Sequence, residues 1–307
     1  EDGTSKPPAS AALDRLLASD PPQLMHKSYV DRITPGIIDK DFAKLADCDW
    51  VIEAVVERLD IKKALYKRLH NTISADCIVS SNTSTIPIKL LVADMPLEFQ
   101  QQFAITHYFN PVRYMRLLEL VRGENTKNSV INKLADFNDR ILGKGVVKCS
   151  DTPGFLGNRV GVFALQVGIH ESFNCGLSIE DADAIMGRPM GIPKTGVFGL
   201  YDLIGIDLMS DVVVSLSQIL PHGDAFHEVG GENKLISSMI SSGLTGDKGG
   251  GGFYKNTPDG KRHALQISES INGTIPNYIE ATKQIPQPVE LALRALASRK
   301  EPLDQLL

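Results

Sequence analysis

Three short stretches of the chain hold side chains that could move a proton. They are Ser81-Asn82-Thr83-Ser84-Thr85, His107-Tyr108-Phe109-Asn110-Pro111 and Leu118-Glu119-Leu120-Val121. Each polar group sits at or near one end of an apolar, strand-like run. Histidine has an ordinary pKa of about 6.5, which suits proton transfer near neutrality. It serves best as a base when a carboxylate holds one tautomer and stabilises the imidazolium. Glu119 is the candidate carboxylate: it stands among Leu117, Leu118, Leu120 and Val121, where an acid needs a partner. Taken alone, an imidazole at the end of an apolar strand is more often a satisfied core histidine, and an acid at such a place a solvated strand end. The spacing weighs against coincidence. Ligands of open parallel sheets bind outside the carboxyl ends of the strands. His107 falls late in its run, and Ser84 and Glu57 each follow theirs. Ser84 either shapes a turn or donates to a substrate oxygen. Asn158, on an otherwise apolar helix, carries the same two readings. A hydroxyl, an imidazole and a carboxylate beside half of a nucleotide-binding sheet point to oxidation of an alcohol.

The elements that must position these groups follow from the hydrophobic pattern. Near-continuous apolar runs predict buried strands over 50–56, 77–80, 103–109, 117–121 and 145–149. Helical spacing predicts helices over 11–17, 59–73, 87–92 and 130–142. The alternation predicts an α/β fold with a largely parallel, doubly wound sheet, which the resemblance given below makes an incomplete Rossmann-type one. At Asp151-Thr152-Pro153-Gly154 the pattern changes: Thr152 can cap a helix opening on Pro153. Beyond it, helices are expected over 155–174, 178–186, 200–219 and 234–241, with no strand among them. The expected domains are residues 1–151, residues 152–256 as an all-α domain whose excess apolar surface suits a homodimer, and residues 257–307 as a linker or the start of a further helical segment, with one helix near 289–298. Gly249-Gly250-Gly251-Gly252 reads as a phosphate-binding nest or, more simply, as a tight turn.

Composition narrows the classes. A chain of 307 residues with 42% apolar and 22% charged residues suits roughly two globular domains. The net charge of -5 and the lack of a long basic run argue against nucleic acid as a partner. No run of about 18 apolar residues predicts a membrane span, and residues 1–10 do not read as a signal peptide. Cys48, Cys77, Cys149 and Cys175 lie far apart, with no C-x-x-C pair, which fits a reducing, cytoplasmic setting. The seven histidines are scattered without H-x-x-H spacing, so no metal site is expected.

Together these motifs resemble the L-3-hydroxyacyl-CoA dehydrogenase family, over roughly residues 40–255. The resemblance rests on Ser81-Asn82-Thr83-Ser84-Thr85-Ile86-Pro87, His107-Tyr108-Phe109-Asn110-Pro111, Asp151-Thr152-Pro153-Gly154-Phe155 with Asn158-Arg159, Pro189-Met190-Gly191 and Gly199-Leu200-Tyr201-Asp202. It implies that (3S)-3-hydroxyacyl-CoA and NAD+ give 3-ketoacyl-CoA, NADH and a proton, as in fatty-acid β-oxidation. It makes His107 the general base and Glu119 its orienting partner. Ser84 and Asn158 would bind the reacting oxygen and nearby thioester, and Asn110 would shape the pocket. Ala54, Glu57 and Lys62 match positions lining the NAD site, with Ser84 beside the nicotinamide, and the helical domain would cover acyl-CoA and form a dimer. The family opens with a strand and a G-x-G-x-x-G turn, absent from these 307 residues, so the chain is expected to start about 30 residues into the pattern. The ribose-binding acid is not assignable; Glu1 and Asp2 lie nearest to its place. Residues 257–307 resemble the continuation found in larger, multifunctional members. Two other readings stay open: a dehydrogenase of a small hydroxy or sugar acid on the same fold, and a non-catalytic dimerising piece with an incomplete cofactor site.

Overall fold

The structure, a computed structural model, describes residues 7–190, 194–270, 272–282 and 287–298. Glu1, Asp2 and Gly191 lie outside the described residues. Contacts divide the chain into a unit of residues 1–157 and a unit of residues 158–307.

The first unit is built on a five-stranded sheet: β1 (Trp50–Glu53), β2 (Ile78–Ser81), β3 (Phe103–Tyr108), β4 (Leu117–Arg122) and β5 (Gly145–Cys149), side by side in chain order. Helix α1 (Pro8–Ala18) precedes the sheet, α2 (Leu59–His70) connects β1 to β2, and α3 (Asn128–Asp136) connects β4 to β5. All neighbouring strands are parallel except β3 and β4. That reversal follows from chain length, because residues 109–116 are too few for a parallel crossover. Successive strand residues point to opposite faces. Val79, Phe103, Ile105 and Val121 therefore pack against Tyr66 and Leu69 of α2. Ile78, Ala104 and Leu120 pack against Val130, Ile131 and Leu134 of α3. Helices on both faces complete the doubly wound arrangement. The helix expected to run to residue 142 stops at Asp136, and Phe137–Ile141 continue as a wider π turn around the buried Asn138.

The second unit begins within α4 (Gly157–Asn174). This helix opens at Gly157 and not at Pro153, because Gly154 and Phe155 take left-handed φ values of 72° and 46°. Helix α5 (Ile179–Ile185) is capped by Ser178, whose hydroxyl accepts the Asp181 amide at 3.1 Å. The single helix expected over 200–219 is two, α6 (Gly196–Ile204) and α7 (Ile206–Ile219), broken at Gly205 with φ 111°. Helix α8 (Lys234–Ser241) is capped by Asn233. The unit is mainly helical, but the expectation of no strands is corrected, and residues 257–282 hold strands in place of the expected linker or start of a further helical segment. Strands β6 (Tyr254–Asn256), β7 (Arg262–Leu265) and β8 (Tyr278–Glu280) form an antiparallel sheet. Thr257-Pro258-Asp259-Gly260 makes the hairpin turn, with Gly260 at φ 80°. Ala264, Leu265 and Ile267 then join Phe198, Tyr201, Phe226 and Met239 in one core. Helix α9 (Gln287–Ala297) follows. Among the described residues, no helix is long and apolar enough to cross a membrane.

Candidate active site

The apolar rows on one sheet face end in polar residues at a common edge. The row Phe103, Ile105 leads to His107, and Val121 leads to Glu119. Because β3 and β4 are antiparallel, residues 107 and 119 are direct register partners. Directly opposed side chains on neighbouring strands touch: His107 Nδ1 lies 2.6 Å from Glu119 Oε2. Glu119 is fully buried and His107 is 8% exposed. The second carboxylate oxygen, Oε1, accepts the backbone amides of Leu156 (2.8 Å) and Gly157 (2.6 Å). Burial alone would raise the Glu119 pKa, but the hydrogen bonds from His107, Gly157 and Leu156 hold it below the ordinary carboxylate value. The Phe109 and Phe155 rings wall the imidazole, with centroids 4.6 and 6.0 Å away. Asn82 Oδ1 accepts the Tyr108 amide at 2.9 Å and so ties the end of β2 to the end of β3.

The same rule of row ends places Glu53, which the sequence motifs do not include, and Ser81, which they include without a role. Val51 leads to Glu53, and Val79 leads to Ser81. The buried Glu53 carboxylate accepts four donors: the Val55 amide (2.7 Å), Lys62 Nζ (2.8 Å), the Tyr66 hydroxyl (2.7 Å) and the Ser81 hydroxyl (2.7 Å). Burial opposes its charge, yet these donors keep its pKa below the ordinary value. Its signal in the sequence is an acid at the end of an apolar strand, the same signal that marked Glu119. Lys62 is fully buried, and its ammonium reaches both Glu53 and Glu57 (3.2 Å). Glu57 is the exposed end of this chain, its side chain 40% accessible. Its Oε1 accepts the hydroxyls of Thr83 and of Thr85 (3.0 Å), the residues on either side of Ser84. The Ser84 hydroxyl is half-buried and has no hydrogen-bond partner among the described residues. Ala54 is exposed just past β1.

Asn110 is exposed at the start of the β3–β4 connection. Asn158 is the second residue of α4 and belongs to the second unit. The glycine run is a turn and not a nest: the amides of Gly249, Gly250 and Gly252 donate to the carbonyls of Gly246, Gly243 and Tyr254. A Cβ on Gly252 would lie 1.9 Å from Asp202 Oδ1, so the close approach requires glycine there.

Comparison with known proteins gives the family of the two units. Residues 11–152 match the family model described as the NAD-binding domain of 3-hydroxyacyl-CoA dehydrogenase. Residues 154–256 match that of the C-terminal domain of the same enzyme. NAD is the cofactor that goes with the first of these. A putative trifunctional enzyme of a fatty acid oxidation complex from Rickettsia prowazekii is 42% identical over 79% of this chain, which spans 33% of that protein's length. A probable 3-hydroxyacyl-CoA dehydrogenase from Deinococcus radiodurans is 34% identical, over 82% of this chain and 72% of the relative. Among solved structures, (S)-3-hydroxybutyryl-CoA dehydrogenase from Ralstonia eutropha superposes with a TM-score of 0.62 at 27% identity, covering 79% of this chain and 82% of that one. The two matched modules follow one another in order along most of the sequence, and on that ground the chain belongs to the 3-hydroxyacyl-CoA dehydrogenase family.

Proposed function

We propose that the protein oxidises (3S)-3-hydroxyacyl-CoA to 3-ketoacyl-CoA with NAD+, as a step of fatty-acid β-oxidation. The His107–Glu119 pair carries this reading. An ionised carboxylate can only accept, so His107 Nδ1 holds the proton, and in the neutral imidazole the lone pair is then on Nε2. Nε2 then takes the proton of the substrate hydroxyl. Glu119, fixed by two backbone amides, stabilises the imidazolium that results. Bound NAD+ supplies the acceptor for the hydride leaving C3.

The donor set suits that cofactor. Glu57 already accepts two hydroxyls and remains exposed, which fits a sugar hydroxyl, and between Thr83 and Thr85 the Ser84 hydroxyl has no hydrogen-bond partner among the described residues. Ala54, Glu57 and Ser84 line the cofactor in this reading, and Lys62, being buried, contributes through Glu57. Ser84 also donates to the reacting oxygen, and Asn110 shapes the pocket. For Asn158 the support is the family resemblance alone. Relatives named for 3-hydroxyacyl-CoA dehydrogenation and for fatty acid oxidation support the substrate class. Four free cysteines support a cytoplasmic setting. Exposed Leu203, Leu208 and Ile219 on α6 and α7 support a homodimer through the helical unit.

The test is NADH oxidation with acetoacetyl-CoA by the protein and by His107→Ala. The substitution should lower kcat by about two to four orders of magnitude. An unchanged kcat rejects His107 as the base. Turnover of free hydroxy acids in preference to the thioester favours the sugar-acid reading. Failure to turn over either substrate or to bind NADH favours the non-catalytic one.

A further inference from the structure

Three charged groups are joined at the carboxyl end of β1. Glu53 and Lys62 are buried, 2.8 Å apart, and Glu57 lies 3.2 Å beyond at the surface. Two carboxylates and one ammonium leave one formal negative charge, and only Glu57 presents it to solvent. No other cation cancels it from the same loop, because Arg58 is paired with Asp60 at 2.6 Å. Lys63, on the following turn, is paired with Asp94 at 3.0 Å. The Glu57 carboxylate is held in place by both neighbours of Ser84, through the hydroxyls of Thr83 and Thr85. Any ring seated against Ser84 therefore sits within one residue of an uncompensated, immobilised negative charge.

We propose that Glu57 discriminates between the two redox forms of the cofactor, favouring the oxidised one. The inference rests on the reading that places the nicotinamide beside Ser84. The nicotinamide ring is cationic in NAD+ and neutral in NADH, while the rest of the molecule is the same in both. A nearby carboxylate thus attracts one form and leaves the other unaffected by its charge. Glu53 and Lys62 are positioning residues here. Lys62 fixes Glu57, and Glu53 keeps the buried ammonium compensated without consuming the surface charge.

The experiment measures dissociation constants for NAD+ and for NADH, by calorimetry and by NADH fluorescence, on the unsubstituted protein, Glu57→Gln and Thr85→Val. Glu57→Gln keeps the side-chain shape and removes the charge; Thr85→Val removes a hydroxyl and keeps the charge. The ratio of the NAD+ constant to the NADH constant should rise roughly three- to tenfold in Glu57→Gln, the scale of a partly screened charge pair. It should stay the same in Thr85→Val, whatever happens to the two constants singly. An equal change of both constants in Glu57→Gln overturns the inference and leaves the cofactor site standing. If the unsubstituted protein binds neither form, the cofactor reading falls and this inference falls with it.

Discussion

His107 and Glu119 differ from an ordinary buried ion pair in how the acid is anchored. Glu119 gives one oxygen to two backbone amides and the other to the imidazole, so it has no freedom to rotate away. Glu119→Gln tests whether the charge or the anchoring matters. The amide oxygen would keep the Leu156 and Gly157 bonds, which leaves the amide nitrogen facing Nδ1. A donor there forces Nδ1 to accept and puts the proton on Nε2, the wrong tautomer for a base. We expect kcat to fall by about two to four orders of magnitude with the NADH dissociation constant nearly unchanged. Loss of binding in proportion to rate would mean instead that Glu119 is a structural acid of the fold. Asparagine or alanine would be a poorer probe, because either would leave the Leu156 and Gly157 amides buried without an acceptor.

At the level of elements, the approach of the Leu156-Gly157 backbone to the ends of β3 and β4 sets the geometry of the pair. A Cβ on Gly157 would lie 2.7 Å from the Phe109 ring and 3.4 Å from Glu119 Oε1. Alanine suits a helix interior better than glycine by up to about 1 kcal/mol and by less at the first residue of α4, so Gly157→Ala should change the melting temperature little. It must move Phe109, whose ring packs at a tilt against His107. A displacement on the order of 1 Å can cost up to about a hundredfold in rate. A clear fall in kcat without a fall in stability is the expected outcome; an unchanged kcat would show that Phe109 moves without disturbing the imidazole. This junction also shows where the sequence was legible. The strands and the His107–Glu119 pairing could be read, because apolar runs and an acid inside one are local signals. The left-handed Phe155 that delays α4 could not, since nothing in Thr152-Pro153-Gly154 distinguishes a helix cap from a preceding turn. The small sheet was missed although Pro258-Asp259-Gly260 is a turn signal. Its strands are only three or four residues long, too short for alternation to show, and Ala264 and Leu265 bury by joining a core made mostly of helices. Glu53 was passed over because its partners, Tyr66 and Ser81, come together only when β1, β2 and α2 pack.

Over the whole molecule, each unit has its own core, and the buried acids of the two respond to pH in opposite directions. In the first unit, Glu53 and Glu119 have pKa values held below ordinary by their hydrogen bonds. Their stabilisation is present above the unfolded value of about 4.5 and is lost as pH falls through the folded one. In the second unit, burial pushes Asp183 up to about 6 and Asp202 up to about 7. Both acids are needed in place: Asp183 accepts the Phe198 and Gly199 amides and the Tyr254 hydroxyl, and Asp202 accepts the Phe253 and Tyr254 amides. A raised folded value means that stabilisation is complete below the unfolded pKa of about 4 and is lost as pH rises through 6 and 7. Lowering the pH from 8 to 5 should therefore strengthen the second unit by on the order of a few kcal/mol and leave the first nearly unchanged. Scanning calorimetry over that range should show one transition rising by several degrees and another staying still until the pH drops below about 4.5. Asp202→Asn identifies the moving transition: without a titrating group at residue 202, most of its pH dependence between 6 and 8 should vanish. If the second unit's transition stays flat or falls between pH 8 and 5, its carboxylates are ionised throughout, and the donors around Asp183 and Asp202 outweigh their burial.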